Sequence, residues 1–222
     1  MVIRPPEHSP AVNDLPAERS GSLTFGSFNA LSKISPEVVR AWSRILTAVP
    51  ASRLLMATVP AGLIRDRIFD LFSVNGIDRA RLELCGRLPS DEFLALHLKA
   101  DIALDPFPFS GTTTTCHSLW MGLPVVTLAG KSHVSRVGAS MLTNIGLADL
   151  IATSIDDYVN IASGLAADLQ RLKALRRGLR DRMLNSPLTD ARRFTRHFES
   201  LLRQIWASWC SRQTPTEKIH AP

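Results

Sequence analysis

Short apolar runs alternate with longer stretches of helical period along most of the chain. Leu23 to Phe28 is a compact apolar run that predicts a strand entering a loop. Ser35, Pro36 and Glu37 then read as a helix start, with a hydroxyl at the N-cap, proline at the first position and an acid in the first turn. Val38, Trp42, Ile45 and Val49 follow at helical spacing, while Arg40 and Arg44 fall on the other side. Arg53 to Met56 predicts a second strand, Ile64 to Val74 a helix stopped near Gly76, and Leu82 to Cys85 a third strand. Ser90 is expected to cap the next helix, with Asp91 and Glu92 in its first turn. Asp101 to Leu104, Thr113 to Met121 and Val125 to Leu128 continue as strand, helix, strand. This alternation predicts an α/β fold, a Rossmann-like parallel sheet with flanking helices and right-handed crossovers.

Beyond Val134 the pattern turns mostly helical. Leu172, Leu175, Leu179 and Met183 mark one apolar face, and Phe194, Phe198, Leu201, Ile205 and Trp206 mark another. The ends differ from this body. Residues 1–22 carry Pro5, Pro6, Pro10 and Pro16 with no period and read as a linker or a surface strap. Residues 211–222 read as a flexible tail, leaving 23–210 as the folded domain.

Composition narrows the class. The chain has 222 residues, 45% of them hydrophobic, enough for a core without staples or metals. Cys85, Cys116 and Cys210 are too far apart for a disulfide framework or a paired zinc motif, so a reducing, cytoplasmic setting is expected. No apolar run approaches the roughly 18 residues of a membrane helix, and no membrane partner is expected. The net charge of +6 favours anionic partners without naming one. Arg171, Lys173, Arg176, Arg177, Arg180 and Arg182 make one helix basic. Aromatics for base stacking are absent there, so a solvated face is the simpler reading and nucleic acid an improbable partner.

The stretch DIALDPFPFSGTTTTCHSLWMGLPVVT carries the most chemistry. A strand ends at Leu104, a loop with Pro106, Pro108 and Gly111 follows, and Thr112 to Thr115 open a helix. That places hydroxyls and free backbone amides beyond the carboxyl end of a parallel strand, where open α/β sheets bind ligands and helix N-termini bind phosphate. Gly111 lets the backbone approach closely. An ordinary N-cap followed by filler is the competing reading, although a run of β-branched threonines suits a helix interior poorly. Asp105 is expected to cap the following turn. Arg136 either faces the crevice or pairs with an acidic neighbour, the second being favoured.

GTTTTCHSLWMGLPVVTLAG and SHVSRVGASMLTNIGL, together with FGSFNALSKISPEVV, CGRLPSDEF, SPLTDARRF and LLRQIW, resemble the C-terminal catalytic lobe of the O-linked N-acetylglucosamine transferases, glycosyltransferase family 41. The resemblance spans about residues 20 to 209. It implies the C-terminal half of a GT-B fold and UDP-N-acetylglucosamine (UDP-GlcNAc) as donor for serine or threonine hydroxyls of acceptor proteins. It implies neither metal nor other cofactor. Lys33 falls at the family's pyrophosphate-contacting, catalytic lysine. Thr113 and Thr114 fall at its threonine pair, with Gly111 before them, and Thr112 stands where some members have histidine. Leu88, in the CGRLP segment, falls among the donor-binding positions. Three positions depart from the pattern: Ala30 replaces a glutamine, Phe93 a histidine, and His117 the acid that holds the ribose hydroxyls. A histidine accepts one hydrogen bond there and lacks a carboxylate's bidentate geometry.

Neither a tetratricopeptide period of about 34 residues nor an N-terminal GT-B lobe is visible. The chain is therefore expected to be a truncated form that binds UDP-GlcNAc or UDP and relies on a separate N-terminal lobe or repeat protein to reach an acceptor. A non-catalytic nucleotide-binding remnant or regulatory module is the alternative.

Overall fold

A computed structural model describes residues 2–212. Its strands are β1 (Thr24–Ser27), β2 (Arg53–Met56), β3 (Leu82–Leu84), β4 (Ile102–Leu104), β5 (Val125–Leu128) and β6 (Ile151–Ala152). They pair in parallel as one sheet in the order β3-β2-β1-β4-β5-β6. Apolar side chains such as Phe25, Leu54, Leu55, Ile102 and Val126 are wholly buried on both sheet faces, as a parallel sheet requires. The sixth strand was not expected. Two residues are too short to show a period, and pairing of Thr127 with Ile151 and Leu128 with Ala152 defines it.

The helices are α1 (Pro16–Ser20), α2 (Pro36–Ala48), α3 (Leu63–Ser73), α4 (Ser90–Leu96), α5 (Thr113–Trp120), α6 (Val137–Asn144), α7 (Ile155–Ala167), α8 (Leu169–Leu184) and α9 (Ala191–Arg212). The Ser35 hydroxyl caps α2 by accepting from Val38 N at 3.3 Å. Val38, Trp42 and Ile45 are fully buried, and α2 packs on α7, where Trp42 Nε1 donates to the Tyr158 hydroxyl at 3.1 Å. Ser90 does not cap α4. It is the first helical residue, Pro89 holds the cap position, and no side chain supplies the cap.

The basic helix α8 is a solvated face only in part, with Arg177 and Arg182 exposed. It buries Leu172, Leu175, Leu179 and Met183 as its spacing predicts, and Arg176 with them. The Arg176 guanidinium donates to the carbonyls of Asn13, Ala100 and Leu98, and Arg180 donates to those of Trp120 and Pro10. Lys173 pairs with Glu18 and Arg177 with Asp14. Leu15 is buried in the core beside these bonds, and Asp101 accepts from the backbone N–H groups of Ala17 and Thr24. The proline-rich segment is thus strapped across the amino ends of the central strands β1 and β4 by Arg176 and Arg180. On α9, by contrast, no residue is buried, and Phe198, Leu201, Ile205 and Trp206 are all exposed. The tail expected from residue 211 lies, beyond Arg212, outside the described residues.

Among the described residues no helix is long and apolar enough to cross a membrane, and no cluster of three His, Cys, Asp or Glu residues could hold a metal ion.

Candidate functional site

The strand order reverses between β1 and β4, and the carboxyl ends of two such strands open a crevice. The chain leaves β1 through Asn29, Ala30 and a single 3-10 turn, Leu31–Lys33. It leaves β4 through a loop that ends at Gly111 and Thr112 and starts α5. These two exits meet. Lys33 Nζ donates to the Ser110 carbonyl at 2.9 Å and to Asn29 Oδ1 at 3.5 Å, and it lies 4.1 Å from the centre of the Phe109 ring. Burial lowers the pKa of Lys33, and the nearby Asp105 carboxylate opposes that shift.

Asp105 is the internal brace of the loop. Its Oδ1 accepts from Gly111 N at 2.7 Å and Thr115 Oγ1 at 3.3 Å, and its Oδ2 accepts from Thr127 Oγ1 at 2.8 Å. The Gly111 bond is the turn cap expected of this residue. Desolvation pushes the Asp105 pKa up to about 6, against the pull of those donors and of Lys33. The Tyr158 hydroxyl holds the Asp105 carbonyl at 3.0 Å and so links the loop to α7. Gly111 is obligatory for steric reasons. A Cβ there would collide with the hydroxyls of Thr115 and Thr114 and stand 2.9 Å from Asn29 Oδ1.

The threonines divide by role. Thr115 is buried against Asp105. Thr114 donates its hydroxyl to Asn29 Oδ1 at 2.9 Å. Thr112 and Thr113 are exposed, and their hydroxyls make no hydrogen bond among the described residues. The first-turn amides of α5 have no carbonyl one turn back to bond, so the helix head offers N–H groups and a partial positive charge.

A second group lies one turn further along α5. The Phe93 and His117 rings are 6.4 Å apart at 67°. Phe93 also meets the buried His97, whose ring stacks on Phe28 at 3.7 Å. His97 Nε2 and His117 Nδ1 are both buried without a hydrogen-bond partner. Leu88, in the loop between β3 and α4, is half-buried against the core, and Ala30 is exposed at the cap of the 3-10 turn. A cleft of about 560 Å³ opens beside the head of α5, lined by Thr112, His133, Arg136, Ser140, Asn144 and Leu188. Arg136 faces this cleft and bonds the Gly130 carbonyl at 3.2 Å, not an acidic neighbour as expected.

Asn29 and Ser110 escaped sequence reasoning. Both are short polar residues in loops, and nothing in their local pattern separates them from turn formers.

Comparison with known proteins bears on this arrangement. The sequence profile of glycosyl transferase family 41 matches residues 12–198. The chain is 44% identical over 216 residues to a Hordeum vulgare protein described as a probable UDP-N-acetylglucosamine–peptide N-acetylglucosaminyltransferase SPINDLY, which covers 95% of this chain and 22% of that protein. It is similar to the structure of a mutant Thermobaculum terrenum O-GlcNAc transferase, with a TM-score of 0.86 and 35% identity over 93% of this chain and 39% of that one. The C-terminal domain of a group 1 glycosyl transferase from Francisella tularensis shares the fold alone, with a TM-score of 0.58 and 14% identity over 79% of this chain and 93% of that one. The chain spans about a fifth of the length of the curated relatives it matches.

Proposed function

The chain belongs to glycosyltransferase family 41 and has the fold of the C-terminal half of a GT-B enzyme, and from that premise we propose that it is the donor-holding half of a protein O-GlcNAc transferase. In this reading UDP-GlcNAc lies across the carboxyl ends of β1 and β4. Its diphosphate takes the amides at the head of α5, the exposed hydroxyls of Thr112 and Thr113, and the Lys33 ammonium. The nucleoside extends toward Leu88, Phe93 and His117, with Ala30 leaving room at the first loop.

The observation that carries the proposal is the position of Lys33. An ammonium group from the β1 exit stands beside the N-terminus of α5. When the bond between sugar and diphosphate breaks, negative charge grows on the leaving phosphate. A fixed ammonium and fixed amides stabilise that charge without reorganising. This arrangement supplies the work a metal ion would otherwise do. The acceptor hydroxyl, on serine or threonine of another protein, comes from the side of a facing lobe. The free thiols Cys85, Cys116 and Cys210 agree with a cytoplasmic setting.

Calorimetry with UDP and uridine tests the seat. Lys33→Ala is expected to weaken UDP binding about tenfold or more, the cost of a charge-assisted hydrogen bond, and to leave uridine binding nearly unchanged. Equal losses for both ligands would contradict the role given to Lys33. A panel of UDP-, GDP- and ADP-sugars in the same assay identifies the donor.

The residues Ala30, Phe93 and His117 favour a second reading, a nucleotide-binding module without transferase activity. Transfer assays with the facing lobe supplied separate the two. Sugar transfer to a peptide hydroxyl establishes the enzyme, and binding without transfer establishes the module.

A further inference from the structure

We infer that Asn29 is the positioning residue of this site, holding Lys33 against the head of α5 by accepting from the lysine ammonium and the Thr114 hydroxyl on one carboxamide oxygen. The inference rests on the diphosphate reading above and assigns the work within it. A threonine hydroxyl carries one proton. At Thr114 that proton is committed to Asn29 Oδ1, 2.9 Å away. Residue 114 therefore offers a diphosphate its backbone amide, while the hydroxyls that can donate belong to Thr112 and Thr113. An ammonium has three N–H bonds. Ser110 and Asn29 take two of those on Lys33, at 2.9 and 3.5 Å, and the third remains for an anion.

Asn29 is itself held. It is 7% exposed at the end of β1. Its carbonyl accepts from the Thr58 hydroxyl at 3.2 Å. Thr58, at the end of β2, has φ of 61°, a left-handed conformation that is an outlier for a β-branched residue. Such strain collects where a site fixes a side chain in place. Gly111 closes the other side, since a Cβ there would stand 2.9 Å from Asn29 Oδ1. Asn29 thus joins the end of β2, through its backbone carbonyl, to the head of α5, through its carboxamide, and determines where the lysine ends.

Calorimetry with UDP and uridine, combined with variants, tests the coupling. Asn29→Ala is expected to weaken UDP binding about fivefold or more while keeping uridine affinity. The same change in a Lys33→Ala background is expected to cost less than about twofold more, because the two residues act as one unit. Equal losses for UDP and uridine, or full additivity with Lys33→Ala, would overturn the inference. Two threonine variants carry the test if Asn29→Ala does not fold. Thr113→Val is expected to lose more UDP affinity than Thr114→Val, and the reverse order or equal losses would overturn it. No measurable binding of any nucleoside diphosphate by the wild-type chain would instead overturn the site reading itself, and the inference with it. Undiminished UDP binding by a folded Asn29→Ala variant overturns the inference alone.

Discussion

His97 shows how a single buried side chain makes stability depend on pH. Its ring is fully buried against Phe28, and only Nδ1 has a partner, the Phe93 carbonyl at 2.9 Å. Protonation would put a charge inside the fold, and burial lowers the pKa from 6.5 to about 3. Between those two values the unfolded chain binds a proton that the folded chain refuses. Stability is therefore expected to fall on acidification through this window, by at most about 1.4 kcal/mol per pH unit. Asp105 works in the opposite direction. Its folded pKa is raised to about 6, so its contribution grows as pH falls from there toward 3.8. His97→Asn keeps a donor for the Phe93 carbonyl and removes the titration, while Asp105 stays in both proteins. In urea unfolding between about pH 7 and about pH 5 the wild type is expected to lose stability relative to the variant as pH falls, because Asp105 alone acts in the variant and nothing there opposes it. Parallel profiles would show that His97 is not the titrating group. Nothing in the local sequence marks His97, because the Phe28 ring that stacks on it comes from the exit of β1, far away along the chain.

At the scale of the element, local signals fixed most boundaries. Ser35, Pro36 and Glu37 start α2 as their chemistry requires, and β2 and β5 span the residues expected of them. Ser90 misled because a serine before acidic residues fits both a cap and a first helical position, and Pro89 took the cap. Helix α8 is the larger lesson. Its leucines were legible from spacing alone, but its arginines looked like solvated charge. The partners of Arg176 are carbonyls of the N-terminal segment and of the β4 approach, more than 70 residues away in sequence. Arg176 is the fixed point of that contact. Arg176→Ala is expected to cost about 3 kcal/mol or more, since it leaves several buried carbonyls without donors. Chemical denaturation measures the loss. Trypsin should also cut earlier at Arg19 as the strap loosens. An unchanged midpoint and cutting rate would show that the strap is held by Leu15 and its apolar neighbours instead.

In the whole molecule, one sheet with a single reversal of strand order brings the site together. Lys33 comes from the β1 exit and the threonines from the β4 exit, and only the pairing of β1 with β4 makes them neighbours. Helix α9 stands apart from this body. Because none of its residues is buried, truncation after Asp190 is expected to leave the thermal midpoint within about 2 °C of the full chain. Differential scanning calorimetry reads this directly, and a drop of about 8 °C or more would mean that α9 carries stability that its exposure does not reveal.

Local order in the chain was enough to determine the layered α/β plan, the faces of α2 and α8, the threonine run at a helix head and the lysine after the first strand. Periodicity and capping act within a few residues, so a linear reading can see them. The tertiary structure alone decided that Thr114 gives its proton to Asn29, 85 positions away, that Ser110 holds Lys33 across 77, and that Arg176 grips Asn13 across 163. Such contacts arise when separate strand ends are packed side by side. A short polar residue carries no local mark of the partner that packing will bring to it.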